Sequence, residues 1–62
     1  MSDKSLIRIL CVDDHPLLLE GIAALIGTEP DMRLVAAASS GVEAVRQFRA
    51  TLPDITLMDV QM

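Results

Sequence analysis

Aromatic side chains are almost absent from this 62-residue chain, which has no tryptophan, no tyrosine and a single phenylalanine, Phe48. Proteins that bind single-stranded nucleic acid stack bases on aromatic side chains, so that class is disfavoured. Basic residues are also scarce, five against nine acidic, for a formal net charge of -4. Because nucleic acids and anionic membranes attract mainly basic surfaces, we expect this chain to bind neither of them directly.

Cysteine is limited to Cys11, which excludes an internal disulfide and makes a reducing cytoplasm the expected compartment. Cys11 lies inside an apolar run, where a small buried side chain is its expected role. Residues 1–5 lack a basic segment, and the apolar run is broken by Arg8 and ends at Asp13. The run is therefore too short and too polar at its flanks for a signal peptide or a membrane span.

Hydrophobic residues make up 52% of the chain, and its mean hydropathy is +0.46. Disordered segments combine low hydrophobicity with high charge, so this chain is expected to fold. Its length allows one small domain that buries only about 60% of its unfolded surface. The apolar residues are mostly aliphatic, which favours a layered α/β core.

Three strands separated by two helices are predicted. The apolar run 6–12 is typical of a strand buried on both faces, as in a parallel sheet. A weaker strand is predicted at 33–38 and a third at 55–58. The first helix begins at Pro16 and ends near Gly27. This β-α-β-α-β order with short connections predicts a parallel sheet with right-handed crossovers.

The periodicity of apolar residues predicts which face each helix buries. The first helix is expected to turn inward Leu18, Ile22, Leu25 and Ile26. A capping box, Ser40-x-x-Glu43, begins the second helix, and Pro53 closes it. This helix is expected to turn inward Val42, Val45, Phe48 and Leu52. Its expected solvent-facing residues are Glu43, Arg46, Gln47 and Arg49.

Three carboxylates follow predicted strands: Asp13 and Asp14 after the first, and Asp59 after the third. If the first strand lies between the other two, the chain reverses direction across the sheet there, and ligands bind at such a switch point. The three side chains would then meet in one cleft and repel one another, unless a divalent cation such as Mg2+ binds between them. Each aspartate alone is also explained as a turn former or helix cap.

Two segments resemble the receiver domain of bacterial response regulators, most closely the LuxR/NarL type. Residues 9–22, ILCVDDHPLLLEGI, resemble its opening, where D-D-H-P and a following E-G-[IL] are usual. Residues 53–62, PDITLMDVQM, resemble its phosphoacceptor strand, P-D-[hydrophobic]4-D-x-x-M-P. The two motifs stand in the family's order and spacing, so the resemblance covers essentially the whole chain.

The resemblance implies a flavodoxin-like α/β fold with strand order 2-1-3. Residues 1–62 would be a truncated receiver domain, with its first three strands and two helices. The resemblance also implies that a histidine kinase phosphorylates Asp59, in a phosphorelay that regulates transcription. The implied Mg2+ ligands are Asp13, Asp14, Asp59 and the backbone carbonyl of Gln61.

A whole receiver domain is roughly twice as long as this chain. The Ser/Thr and Lys that complete the family's phosphorylation site lie beyond the matching segments, as does any DNA-binding output domain. We therefore expect that the chain binds Mg2+ weakly and is phosphorylated poorly or not at all. We also expect the third strand to be a bare apolar edge, and the chain to form a homodimer or larger assembly through that strand or by exchange of elements.

Two other functions stay open on the sequence alone. One is a phosphatase of the haloacid dehalogenase type, whose D-x-D-x-[TV] motif residues 13–17 match poorly. The other is a non-catalytic self-association module with vestigial carboxylates. Among single residues, His15 is expected to start a helix rather than bind a transition metal. Met58 and Met62 are expected to fill the core or an interface.

Overall fold

The computed structural model describes residues 6–58, and its elements follow the predicted β-α-β-α-β order. They are β1 (Ile7–Val12), α1 (Pro16–Gly27), β2 (Met32–Ala38), α2 (Gly41–Thr51) and β3 (Ile55–Met58). The boundaries differ from the predicted ones by one residue, at the starts of β1 and β2.

The sheet is parallel and its strand order is β2-β1-β3, which confirms the predicted order 2-1-3. Cys11 in β1 lies between Ala37 of β2 and Leu57 of β3. The pairing of β1 with β3 is regular, whereas the pairing with β2 shifts between Ile9 and Leu10, so that Val35 has no partner in β1. β2 and β3 are therefore the two edges of the described sheet.

β1 is the buried centre of the molecule. Its last four residues, 9–12, are each at most 3% exposed, as the continuous apolar run predicts. Leu10 and Val12 pack with Ala38 and Ala44 in the main hydrophobic cluster. The prediction that Cys11 is a core residue is confirmed.

Asp54 joins the start of β3 to the start of β1. Its carboxylate accepts a hydrogen bond from the Arg8 backbone N–H at 2.9 Å, and its own N–H donates to the Arg8 carbonyl at 2.8 Å. The Arg8 side chain also donates to the carbonyl of Leu52 at 3.0 Å. These contacts fix the connection from α2 into the sheet.

The buried face of α1 differs from the predicted one. Ile26 is buried and Ile22 half-buried, as expected, but Leu18 and Leu25 are 49% and 69% exposed. The residues of α1 that are at least partly buried are Leu19, Ile22, Ala23 and Ile26. Their spacing of i, i+3, i+4 and i+7 is still that of one helix face. The prediction was wrong because leucines occupy several faces of α1, and only the packing direction selects one.

The predicted inward face of α2 is wrong. Its four members are all exposed, from 46% for Phe48 to 75% for Val42. Ala44 is buried instead, and the residues that are half-buried are Glu43, Gln47 and Thr51. The backbone of α2 approaches β2 and β1 most closely, so Val45 and Phe48 border open space beside β3. The predicted exposure of Arg46 and Arg49 is confirmed.

Both ends of α2 have identifiable caps. The Ser40 Oγ accepts a hydrogen bond from the Glu43 backbone N–H at 3.2 Å, as the capping motif predicts. The Glu43 carboxylate accepts from the Gln47 side-chain amide at 2.9 Å. At the other end, Leu52 has a left-handed conformation (φ 48°), and its N–H donates to the Phe48 carbonyl. Pro53 follows directly, so the helix ends where predicted.

Among the helices of residues 6–58, none has the length and apolar character needed to cross a membrane.

Candidate functional site

The predicted acidic residues at the end of β1 lie at the carboxyl edge of the sheet. The Asp13 N–H donates to the Ala38 carbonyl at 3.0 Å, which continues the pairing with β2 by one residue. Val12 pairs with Met58, so the described parts of β1 and β3 end side by side. Asp59 and Gln61 lie outside the described residues, as does Met62.

Asp13 is held by His15 in a tight turn between β1 and α1. Its Oδ1 accepts a hydrogen bond from the His15 backbone N–H at 2.8 Å. The same oxygen lies 2.7 Å from the His15 Nδ1. The whole residue is 3% exposed, although it carries a charge. A buried carboxylate needs such partners because burial without them is costly.

Asp14 completes a cluster around the imidazole ring. Its Oδ1 lies 2.9 Å from the same His15 Nδ1, and its side chain is 56% exposed. The cluster therefore has one oxygen fixed inside the protein and another that solvent reaches. His15 occupies the N-cap position of α1, directly before Pro16, which confirms its predicted place at the helix start.

Two pKa shifts describe the charge of this edge. The hydrogen bond from the His15 ring lowers the pKa of Asp13, and burial opposes that effect without reversing it. Asp13 is therefore ionised near neutral pH. Burial, and secondarily the Asp13 charge, raises the pKa of the Cys11 thiol. Cys11 thus stays protonated, as a core residue rather than a reactive thiol.

The arrangement at Asp13 and Asp14 fits a divalent cation. One ligand atom each from Asp13, Asp14 and His15 can be chosen so that all three lie within 4.8 Å of one another. Carboxylate oxygens are the ligands that Mg2+ prefers, and this ion usually keeps several waters, which the exposed side of Asp14 allows. The first turn of α1 starts three residues after Asp13, so its unpaired N–H groups favour negative charge here.

Sequence reasoning missed the role of His15 as a partner of both carboxylates. The available signal was the spacing of Asp13 and His15, because an aspartate before a helix commonly accepts from the N–H two residues later. The position of the ring between Asp13 and Asp14 depends on side-chain torsions that the sequence pattern does not reveal.

Comparisons with known proteins agree with this architecture. Residues 9–62 match the family profile of the response regulator receiver domain. The transcriptional regulatory protein LiaR of Bacillus subtilis is 40% identical over 57 residues, which are 92% of this chain and 27% of LiaR. The nitrate/nitrite response regulator protein NarL of Escherichia coli is 37% identical over 62 residues, all of this chain and 29% of NarL.

A solved structure is similar as well. The crystal structure of a LuxR-family two-component response regulator from Aurantimonas sp. SI85-9A1 superposes with a TM-score of 0.77 at 46% identity. The match covers 84% of this chain and 37% of that one. The chain thus spans less than a third of the two named curated relatives. A parallel sheet of order 2-1-3, an acidic carboxyl edge and the matching profile lead to one conclusion: the chain belongs to the response regulator receiver domain family.

Proposed function

We propose that residues 1–62 are the N-terminal part of a receiver domain of the NarL/LuxR type, a signalling module in which Asp59 is the phosphoacceptor. The observation that carries the proposal is the pairing of Val12 with Met58. In the sequence, Asp13 and Asp59 directly follow these two neighbouring strand ends. The phosphatase alternative has no comparable support, since its motif does not fit residues 13–17.

The phosphoryl donor in this proposal is a histidine kinase. A carboxylate oxygen of Asp59 forms a bond to the donor's phosphorus, and the P–N bond to the donor imidazole breaks. The imidazole leaves with its electron pair and takes up a proton, and an aspartyl phosphate remains. The parent protein would use this modification to regulate transcription in the cytoplasm.

Asp13, Asp14, Asp59 and the backbone carbonyl of Gln61 would hold Mg2+ in this site. When bound, the ion supplies positive charge that offsets the charge of the carboxylates and of the incoming phosphoryl group. The described residues contribute two features. Asp13 is kept ionised by the contact with His15, and the exposed carboxylate of Asp14 is reachable from solvent.

An NMR titration tests the metal site. Adding MgCl2 to the 62-residue chain is expected to shift the backbone amide signals of Asp13 and Asp14. Asp14→Asn should weaken these shifts, because it removes a charged ligand. Asp31→Asn is the matched control at the opposite end of the sheet, and it should leave them unchanged. Absent shifts, or equal weakening by both variants, would contradict the metal site.

Phosphorylation is tested separately with radiolabelled acetyl phosphate and Mg2+. We expect at most slow labelling of the 62-residue chain. Asp59→Asn should abolish any labelling, and the matched control Asp31→Asn should retain it. Labelling that persists in Asp59→Asn would overturn the phosphoacceptor assignment. Labelling at the rate of a complete receiver domain would overturn the expectation of an incomplete site.

A further inference from the structure

The imidazole ring of His15 lies between the two carboxylates that follow β1. Its Nδ1 is 2.7 Å from the Asp13 Oδ1 and 2.9 Å from the Asp14 Oδ1. An ionised carboxylate only accepts hydrogen bonds, so the proton in the contact with Asp13 belongs to the ring nitrogen. The ring therefore turns a positively polarised N–H toward both carboxylates.

Both acceptor sites of the Asp13 Oδ1 are engaged in this arrangement. A carboxylate oxygen offers about two lone-pair sites. One accepts the His15 backbone N–H at 2.8 Å, and the other accepts the ring N–H at 2.7 Å. A Mg2+ ion bonded to this oxygen, at the usual distance of about 2.0–2.1 Å, must therefore displace one of the two donors.

Of the two donors, the ring is the one that can move. The backbone N–H belongs to the turn that leads into α1, whereas the His15 side chain is 67% exposed. Although His15 occupies the N-cap position, its side chain makes no capping hydrogen bond to α1. Turning the ring toward water therefore breaks its contacts with the carboxylates but leaves the start of the helix in place.

We propose that the His15 ring stands in for the cation in the metal-free chain and must leave the carboxylates when Mg2+ binds Asp13 and Asp14. This inference rests on the metal site of the proposed function and names a residue that sets its affinity. In the metal-free chain the ring N–H offsets the repulsion between the two carboxylates. The ion binds only the fraction of molecules whose ring has turned away, which lowers the apparent affinity. His15 thus weakens Mg2+ binding and is not a ligand.

The Mg2+ affinity of His15→Ala tests this role. The variant keeps the backbone N–H that Asp13 accepts but loses the competing ring. If the ring is turned away in roughly a tenth to a third of the molecules, the dissociation constant for Mg2+ should fall roughly three- to ten-fold. Backbone amide NMR titrations measure it at a pH well above the ordinary aspartate pKa, where both carboxylates are ionised.

Leu17→Ala is the matched control for this titration. Leu17 lies in the first turn of α1 and is 83% exposed. The control should bind Mg2+ like the unmodified chain, with circular dichroism confirming that both variants fold.

The ring itself provides a second measurement, in the unmodified chain. His15 is the one histidine of the sequence, so its ring nitrogen signals are assigned directly. On addition of MgCl2 they should move toward those of a solvent-exposed histidine, in step with the backbone amides of Asp13 and Asp14. Sodium chloride of equal ionic strength should leave the ring signals in place.

The outcomes separate this inference from the metal site on which it rests. Weaker or unchanged Mg2+ binding by His15→Ala, equal tightening by Leu17→Ala, or ring signals that stay in place while the amides shift would overturn the inference alone. Amides that respond to Mg2+ in neither the unmodified chain nor His15→Ala would overturn the metal site, and the inference with it.

Discussion

The two strands that flank β1 run in the same direction but differ in burial. Both are parallel to β1, and Cys11 of β1 pairs with a residue of β2 on one side and a residue of β3 on the other. Yet β2 has partly or fully buried side chains along most of its length, whereas every residue of β3 is exposed. The helices explain the difference, because both approach β2 closely and neither covers β3 to the same extent. Pairing between strands satisfies the backbone, but burial of side chains depends on what covers the sheet.

The largest expected effect is a difference in unfolding free energy between substitutions at the centre of the sheet and at its exposed strand β3. Leu10→Ala should lower the free energy of unfolding by about 2–5 kcal/mol, because Leu10 is 1% exposed and its loss leaves a cavity. Leu57→Ala, the same change at a position that is 43% exposed, should cost clearly less in dilute solution. Urea denaturation measures both. Equal losses of unfolding free energy would mean that Leu57 is buried to the same extent as Leu10. Leu10→Val removes less of the side chain and should give a smaller loss.

A smaller effect is expected at the junction of β2 and α2, on the covered side. Ser40→Ala removes the side-chain oxygen that accepts the Glu43 N–H and should cost about 1 kcal/mol of unfolding free energy. Ser39→Ala is the control, because Ser39 is exposed and precedes the cap. Thermal unfolding followed by circular dichroism gives both values. If the two substitutions have equal effects, the cap does not secure α2.

The attachment of β3 should depend on Asp54. Asp54→Ala removes the acceptor for the Arg8 N–H at the start of the paired strands. We expect a loss of about 0.5–1 kcal/mol, since this hydrogen bond is exposed to solvent. Hydrogen exchange should accelerate at β3 amides and stay unchanged in β2. Asp31→Ala serves as a control near the start of β2. Faster exchange of β2 amides in Asp54→Ala would contradict a role of Asp54 confined to β3.

The smallest expected effect is electrostatic and lies at the end of β1. His15→Ala should raise the pKa of Asp13, because the ring hydrogen bond is the main cause of its lowered value. With a folded-state pKa below the unfolded one, Asp13 stabilises the fold above the ordinary aspartate pKa. That contribution is lost as the pH falls through the lowered value. Carboxyl carbon NMR measures the pKa, with Leu17→Ala as the control, and an unchanged pKa in His15→Ala would refute the role of the ring.

Local sequence signals predicted most of the fold. The uninterrupted apolar run predicted a strand buried on both faces, Pro16 the start of α1, and the Ser40 motif the start of α2. Each of these signals acts through residues close in sequence, so no knowledge of the rest of the molecule was needed. The order 2-1-3 came from the family resemblance, since strand alternation alone does not say which strand is central.

Part of the site was also predicted, because the position of a carboxylate after a strand is a local property of the sequence. Asp13 and Asp14 were expected at the carboxyl edge, and the structure places them there. Their partner, His15, was assigned only to the helix start, because the direction of its ring depends on the turn around it. The roles of Asp59 and Gln61 stay predictions, since both lie outside the described residues.

The sequence by itself determined the element types, their order and the concentration of carboxylates after β1, because periodicity, caps and strand ends are local properties. The tertiary structure decided which helix faces are buried. Val45 and Phe48 have the spacing of an inward face, but α2 settles over β2 and β1 through Ala44, where a small side chain lets the backbones approach. It also decided that β3 is left exposed, because the burial of a strand depends on elements distant from it in the chain.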